Sequence, residues 1–227
     1  MTKENFTSIN VIIDESGSMG HLVQDTVGGF NKFLADQKEV PGDAVFTLCL
    51  FSTKHHYPFD FVKLADVPAL TSRSYKPGGS TALLDAIGTT INSVGAKLSA
   101  MPEEERPSKV IFLIITDGEE NASKEFTKAQ VASMVSHQRD VYSWEFVFMG
   151  ANIDAIAEGG SLGIASHNAI NYSASAAGTA RLYGDVSKSL RTYRSSKGPS
   201  KVDFFNQQPQ VDVDIIDPVD QNKSDKS

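Results

Sequence analysis

Ten residues near the start of the chain decide its fold: Ile9-Asn10-Val11-Ile12-Ile13-Asp14-Glu15-Ser16-Gly17-Ser18. The apolar first half is typical of a buried strand, which we predict over residues 8–14. The second half places one carboxylate and two hydroxyls at every second position, directly after that strand. Such hard oxygen donors suit Mg²⁺ or Mn²⁺ better than they suit a metal that prefers thiolates. We therefore expect a divalent-metal site where this strand ends.

Strand-like and helix-like segments alternate along the rest of the chain, which predicts an α/β fold. We expect a doubly wound, mostly parallel, six-stranded sheet with helices on both faces. The further strands are predicted over residues 44–52, 57–63, 110–115, 141–149 and 168–172. The segment 57–63 follows its predecessor too closely for a crossover helix, so it should pair antiparallel at the edge of the sheet.

Apolar residues at intervals of three and four predict the helices between these strands. Their buried stripes are marked by Val23, Val27, Phe30 and Leu34, by Leu84, Ile87, Ile91, Val94 and Leu98, by Phe126, Val131 and Val135, and by Leu182, Val186, Leu190 and Tyr193. Two polar residues are placed to cap helices. We predict that Ser123 caps the helix after strand 110–115, and that Asn152 caps a short helix after strand 141–149.

Two further sequence fragments are expected to contribute to the same site as Asp14, Ser16 and Ser18. Gly78-Gly79-Ser80-Thr81 opens a helix, and Thr116-Asp117-Gly118 follows the apolar strand 110–115. Each fragment alone is common as a turn or a helix cap. With the strand order 3-2-1-4-5-6, however, strands 1 and 4 are neighbours where the order reverses. Asp14 and Asp117 then lie on the same rim, and Thr81 comes from the loop between them.

The three fragments together resemble the metal-ion-dependent adhesion site (MIDAS) of von Willebrand factor type A (VWA) domains, and the resemblance covers nearly all of residues 8–194. It implies a small VWA protein of bacterial or phage type with an intact site. The metal-site residues that it implies are Asp14, Ser16, Ser18, Thr81 and Asp117. The three hydroxyls would bind Mg²⁺ or Mn²⁺ directly, and the two carboxylates would act largely through bridging waters.

The resemblance also implies a function. In the family, an Asp or Glu carboxylate of a protein partner fills the remaining coordination position of the ion. We therefore predict a metal-dependent protein-binding module, an adaptor or an assembly component, and no enzyme. One alternative is a structural subunit of a larger complex, in which the metal only stabilises the rim.

A metal-dependent hydrolase is the other alternative. Such an enzyme needs a nucleophile or a general base beside the ion. Of the five histidines, only His21 is expected near the rim. Hydrolases with an aspartyl nucleophile carry a second Asp two residues after the first, where this chain has Ser16. Glu119 and Glu120, which follow Asp117, are expected either to be solvated or to favour a basic rim on a partner.

The amino-acid composition limits the classes of partner that the protein is expected to bind. The chain has 227 residues, 40% hydrophobic and 22% charged, which fits one sizeable α/β core. Its net charge is −7, and it has no run of Lys and Arg, so we expect it to bind neither nucleic acid nor a membrane. No apolar run approaches the ~18–20 residues needed to cross a bilayer, and no signal segment is evident. We predict a cytoplasmic location.

The cysteine content excludes two kinds of cross-link. A single cysteine, Cys49, rules out an intramolecular disulfide and a zinc cluster built from thiolates. It lies inside an apolar run and is expected to be a buried strand residue.

The character of the chain changes near residue 196. We predict a VWA-like domain over residues 1–195 and a polar tail over residues 196–227 that is flexible or ordered by a partner. Within the tail, residues 211–217 alternate apolar and acidic side chains. Such a segment can add to a sheet edge or supply a carboxylate to the site of a neighbouring copy, so we expect possible self-association through the tail.

Overall fold

The computed structural model describes residues 2–196 and 203–205. Its strands are β1 (Lys3–Asp14), β2 (Asp43–Phe51), β3 (His55–Lys63), β4 (Pro107–Thr116), β5 (Glu145–Gly150) and β6 (Ala169–Asn171). Its α-helices are α1 (Val23–Lys38), α2 (Leu83–Ala100), α3 (Lys128–Tyr142), α4 (Ala155–Ser161) and α5 (Ala176–Ser195). A short 3₁₀ helix, Gly17–Leu22, joins β1 to α1.

The strands form one sheet in the order β3-β2-β1-β4-β5-β6. β3 pairs antiparallel with β2, and the other pairings are parallel. The doubly wound sheet with one antiparallel edge strand is therefore confirmed. β1 and β4 lie side by side, with Ile13 opposite Ile115, so the loops that follow them emerge at the same place on the rim.

Helices cover both faces of the sheet, and each face has its own apolar core. Ile9, Val11 and Ile13 of β1 pack in the core beneath α1 and α5, whereas Ile12 packs in the core beneath α2 and α3. Because the central strands are buried on both sides, their sequences are continuously apolar rather than alternating. This is why the opening stretch of the chain could be recognised as a strand.

Both predicted helix caps are wrong. Thr127 caps α3, since its hydroxyl accepts from the N–H of Gln130 and the Gln130 side chain accepts from the N–H of Thr127, while Ser123 lies outside the helix. Asp154 caps α4. Asn152 instead has a left-handed backbone (φ 56°) in the turn before α4, a conformation that asparagine tolerates better than most residues.

The predicted strand 141–149 is also too long. α3 runs to Tyr142, and Ser143, with a left-handed backbone (φ 56°), ends it before β5 begins at Glu145. Val141 and Tyr142 favour strands by propensity but lie exposed on the last turn of the helix. Helical contacts over the rest of α3 outweigh that local preference.

The outer strand β3 is irregular. Its register against β2 shifts twice, Phe61 has a left-handed backbone (φ 57°), and the strand contains Pro58, which has no N–H to donate. At the opposite edge, β6 has only three residues. Both edges of the sheet are therefore poor templates for a further strand.

A segment beyond α5 packs against the domain. Phe204 is 2% exposed, its ring lies 5.8 Å from that of Tyr193, and its carbonyl accepts from the Ser189 hydroxyl at 2.6 Å. The N–H of Phe205 donates to the carbonyl of His167. Residues 197–202 and 206–227, including the acidic segment 211–217, lie outside the described residues, so the division at residue 196 stays a prediction. No helix in the described part of the chain is long and apolar enough to cross a membrane.

Candidate metal site

The five predicted site residues come together at the rim where β1 and β4 end. The Ser16 and Ser18 hydroxyl oxygens are 3.0 Å apart, and the Ser18 hydroxyl donates to Asp117 Oδ1 at 2.6 Å. A Cβ atom built on Gly118 would lie 3.8 Å from Thr81 Oγ1 and 3.9 Å from Ser18 Oγ, so both hydroxyl oxygens lie close to Gly118. Three loops that are distant in sequence thus contribute oxygens to one small region.

Asp14 is wholly buried at the base of this region. Its carboxylate accepts from the Ser16 N–H at 2.7 Å and from the Thr116 hydroxyl at 2.6 Å. Burial raises the pKa of Asp14, and although these hydrogen bonds oppose the rise, the nearby charge of Asp117 adds to it. A cation close by would relieve both the desolvation and the repulsion.

Asp117 supplies the observation that bears most directly on a bound ion. Its Oδ1 accepts from Ser18, but its Oδ2 is buried and has no hydrogen-bond partner among the described residues. Buried polar atoms are almost always satisfied, so an orphaned carboxylate oxygen indicates a water or an ion at that place. Two carboxylates with three neutral hydroxyls fit Mg²⁺ or Mn²⁺.

The carboxylates of the candidate site are too few to bind a metal ion without the hydroxyls. Within residues 2–196 and 203–205, no group of three or more His, Cys, Asp or Glu side chains could hold a metal. A site at this rim would therefore be built from Ser and Thr oxygens as much as from carboxylates.

Asn121 holds the backbone of Thr81 from both sides. The N–H of Thr81 donates to Asn121 Oδ1 at 2.9 Å, and the N–H groups of Asn121 and Ala122 donate to the Thr81 carbonyl at 3.0 and 3.2 Å. Thr81 itself is 4% exposed. Asn121, in the loop after β4, thus fixes Thr81 two residues before α2 begins. This role was not predicted for Asn121.

Glu15 connects the loop after β1 to the loop before α2 through hydrogen bonds. Its carboxylate accepts from the N–H of Lys76, and its carbonyl accepts from the N–H of Gly78 at 2.9 Å. The N–H of Gly17 donates back to the carbonyl of Gly79 at 3.1 Å. Glu15 therefore contributes to the shape of the rim through the loop 76–79.

Two residues of the segment 75–79 are restricted by close packing. Gly79 has a positive φ of 84°, and a Cβ there would lie 2.7 Å from Thr53 Oγ1, so only glycine fits. Tyr75 is wholly buried, and its hydroxyl donates to the carbonyl of Asp14 at 2.6 Å. The loop that leads to Thr81 is thus anchored beneath the site as well as beside it.

Of the two acidic residues after Asp117, only Glu119 is solvated. The expectation for Glu120 is wrong, because its carboxylate accepts from the backbone N–H groups of Leu84, Ala122 and Ser123 at 2.7–2.9 Å. Sequence reasoning missed this role because the donors are backbone groups, which have no signature in the sequence.

His21 lies beside the loop that carries Ser16 and Ser18. One ring nitrogen lies 2.8 Å from the carbonyl of Ser18, and the other lies 3.3 Å from the carbonyl of Ala174. The imidazole therefore links the loop after β1 to the segment before α5. Asn152 also approaches the rim, with its side-chain amide 3.5 Å from the carbonyl of Asp117.

Solved structures share this fold at low sequence identity. The vWF domain of the type V pili tip protein Mfa5 from Porphyromonas gingivalis aligns with a TM-score of 0.62 over 84% of this chain and 97% of its own, at 9% identity. Proximal thread matrix protein 1 from the mussel byssus aligns with 0.58 over 82% and 46%, at 15% identity. A von Willebrand factor type A protein from Catenulispora acidiphila aligns with 0.54 over 83% and 43%, at 15% identity.

These likenesses show that the chain has the VWA fold. The chain spans less than half the length of the mussel and Catenulispora proteins. A further structure of the mussel protein has a zinc-occupied MIDAS motif, with a TM-score of 0.58 over 82% of this chain and 46% of that one, at 18% identity. No protein-family model and no curated protein matches the chain.

Proposed function

We propose that this chain is a protein-binding module whose recognition depends on a divalent metal ion. The hydroxyls of Ser16, Ser18 and Thr81 would bind Mg²⁺ or Mn²⁺, and Asp14 and Asp117 would hold it largely through waters. The single observation that carries the proposal is the buried, unpartnered Oδ2 of Asp117 beside these hydroxyls. The zinc-occupied motif of the mussel protein supports a divalent ion at the corresponding place.

The chemistry of the donors supports an acidic partner. Neutral hydroxyls as direct ligands leave a bound ion more electrophilic than directly bound carboxylates would, so the ion could accept a further carboxylate from a partner. Exposed cations on the rim act in the same direction. Lys76 belongs to the loop held by Glu15, and Lys54 adjoins Thr53, whose hydroxyl accepts from the N–H of Ser80. We propose that an Asp or Glu of a protein partner completes the coordination.

We propose a role in adaptation or assembly rather than in catalysis. Both ring nitrogens of His21, which adjoins the Ser18 loop, face backbone carbonyls, which leaves it poorly placed as a general base. We further propose a cytoplasmic protein of bacterial or phage type, an inference that rests on the sequence alone. Fractionation of host cells with an antibody against the full chain tests the location.

Titration of the protein with MnCl₂ and MgCl₂ tests the metal site. Isothermal titration calorimetry on the full chain should show one site, and Thr81→Ala should weaken it, because a direct ligand is lost. Thr81→Ser is the matched control, since it retains the hydroxyl and should bind within a few-fold of the wild type. ZnCl₂ belongs in the same series. Absence of binding by the wild type would overturn the proposal.

Pull-down from host extract, with and without EDTA, tests the recognition role. Partners that require the ion should disappear in EDTA and should also be lost with Thr81→Ala. Identical partners in all conditions would leave a purely structural metal. Hydrolysis of phosphate or ester substrates that Asp14→Ala abolishes would favour an enzyme instead.

A further inference from the structure

The loop after β4 and the start of α2 bind each other through two carboxylates. The Glu120 carboxylate accepts from the N–H of Leu84 at 2.9 Å, the N–H of Ala122 at 2.8 Å, and both the N–H and the hydroxyl of Ser123 at 2.7 Å. Four donors use about all the acceptor capacity of a carboxylate. Leu84 is the second residue of α2, so Glu120 also satisfies one of the N–H groups left free at a helix start.

Asp85, in the first turn of α2, binds the loop after β4 in the same way that Glu120 binds the start of α2. Its carboxylate accepts from the N–H groups of Lys124, Glu125 and Phe126 at 2.8–2.9 Å. Its own N–H donates to the hydroxyl of Ser123 at 3.1 Å. The two segments are therefore joined in both directions, by acidic side chains on each that bind backbone donors of the other.

The joined segments carry two residues of the candidate site, one in the loop before α2 and one in the loop after β4. Thr81 lies three residues before Leu84, and Asp117 lies three residues before Glu120. Asn121, the neighbour of Glu120, makes the hydrogen bonds to the Thr81 backbone. Any shift of this loop against the start of α2 would therefore move the Thr81 hydroxyl relative to the Asp117 carboxylate.

We propose that Glu120 is a positioning residue that sets the affinity of the site for its divalent ion by holding Thr81 in register with Asp117. This inference rests on the proposed function. Mg²⁺ requires near-ideal geometry at roughly 2.1 Å, so a small displacement of one hydroxyl weakens binding. Residues behind metal ligands change metal affinity by about 10- to 100-fold when they are removed.

Calorimetric titration with MnCl₂ alone, on the full chain, tests the proposal. Glu120→Ala should weaken Mn²⁺ binding by about tenfold or more. Glu119→Ala is the matched control, because this exposed neighbour has the same charge, and its affinity should stay within about twofold of the wild type. Glu120→Gln should give an intermediate affinity, since one oxygen remains an acceptor while the amide nitrogen cannot accept.

A double-mutant cycle separates positioning from a general loss of structure. If Glu120 acts through Thr81, Glu120→Ala should cost much less affinity in a Thr81→Ala background than in the wild type. Amide hydrogen exchange at Thr81 and Leu84 should rise in Glu120→Ala. Should that variant fail to fold, Glu120→Gln and the same cycle provide the answer.

The outcomes distinguish this inference from the proposed function. If the wild type binds Mn²⁺ and Glu120→Ala binds it equally well, the positioning role is overturned while the metal site stands. A variant that melts earlier in EDTA but keeps its Mn²⁺ affinity would likewise reduce Glu120 to a stabilising contact. If the wild type binds no Mn²⁺, both proposals fall.

Discussion

The Ser18 hydroxyl donates a 2.6 Å hydrogen bond to the Asp117 carboxylate, across 99 positions of the chain. This bond joins the loops that follow β1 and β4. It also directs the hydroxyl proton towards the carboxylate, so that, beside the contact with the Ser16 hydroxyl, one lone pair of the Ser18 oxygen remains available to an ion. The same arrangement leaves two carboxylates, Asp14 and Asp117, close together when no cation is present.

Asp117→Asn should therefore stabilise the metal-free protein. The substitution removes the repulsion with Asp14, while the new side-chain oxygen can still accept from Ser18. We expect a gain of roughly 0.5–1 kcal/mol in EDTA, or about 1–4 °C in melting temperature. In excess MnCl₂ the variant should lose most of the stabilisation that the wild type gains. Thermal melts of both proteins in the two buffers measure this difference.

Glu119→Gln provides the control for that experiment, because it removes one charge from the exposed neighbour in the same loop. Its melting temperature should stay close to the wild type in both buffers. A lower melting temperature of Asp117→Asn in EDTA would contradict the repulsion argument.

Two helical glycines should respond in opposite ways to alanine. A Cβ on Gly88 would lie 2.6 Å from the ring of Phe126, so Gly88→Ala should cost about 1–3 kcal/mol through overpacking. A Cβ on Gly28, in α1, meets no atom within 4 Å, so Gly28→Ala should gain roughly 0.5–1 kcal/mol. Urea denaturation of the two variants provides the comparison, and a stabilised Gly88→Ala would contradict the packing described at α2.

Cys49 should be unreactive in the folded protein. It is wholly buried in β2, and burial raises the pKa of its thiol from 9.0 to about 12. A thiol-specific reagent at pH 8 should modify Cys49 only after unfolding in guanidinium. Rapid labelling of the native protein would show that β2 opens locally.

The same thiol predicts a dependence of stability on pH. As the pH rises above about 9, the unfolded chain loses its thiol proton while the folded chain keeps it, so the folded state is progressively disfavoured until about pH 12. At pH 10.5 this contribution is roughly 2 kcal/mol. Urea melts at pH 8 and pH 10.5 should show a smaller loss for Cys49→Ala than for the wild type, and equal losses would exclude the thiol as the cause.

Phe204→Ala tests whether the segment beyond α5 belongs to the folded domain. Phe204 is almost wholly buried against Tyr193, so we expect a loss of about 2–4 kcal/mol. Phe205→Ala, at the partly buried neighbour, should cost less. If both variants melt like the wild type, the domain is complete without these residues, as the predicted boundary near residue 196 implies.

The fold could be predicted because its central strands are covered on both faces. Runs such as Val110–Ile115 are too apolar to be anything else, and the short spacing before β3 forced an antiparallel edge. The start of β1 was missed because residues 3–5 are polar and exposed. The cap of α3 was misplaced at Ser123, although Thr127 and Gln130 form a capping box that was present in the sequence.

Some residues of the candidate site could likewise be predicted from the sequence, and others could not. Asp14 and Asp117 adjoin strand ends, so the sheet order predicted that they would share a rim, whereas Ser18 was assigned to the site by the resemblance. Glu120 and Asn121 could not be predicted, because their partners at the start of α2 lie 36–40 positions away and are mostly backbone groups. Sequence patterns identify which atoms could bind an ion, whereas the chain path determines what keeps those atoms in place.

The irregular outer strand β3 limits how copies of this protein can associate. With Pro58 and two register shifts, a strand from another molecule would find its donors and acceptors out of phase along this side. Open-ended stacking into fibres is disfavoured, and a flanking peptide gains little by lying there. A second copy that met this edge would therefore end the contact after a few residues, and side-by-side growth of the sheet beyond its six strands is blocked at β3.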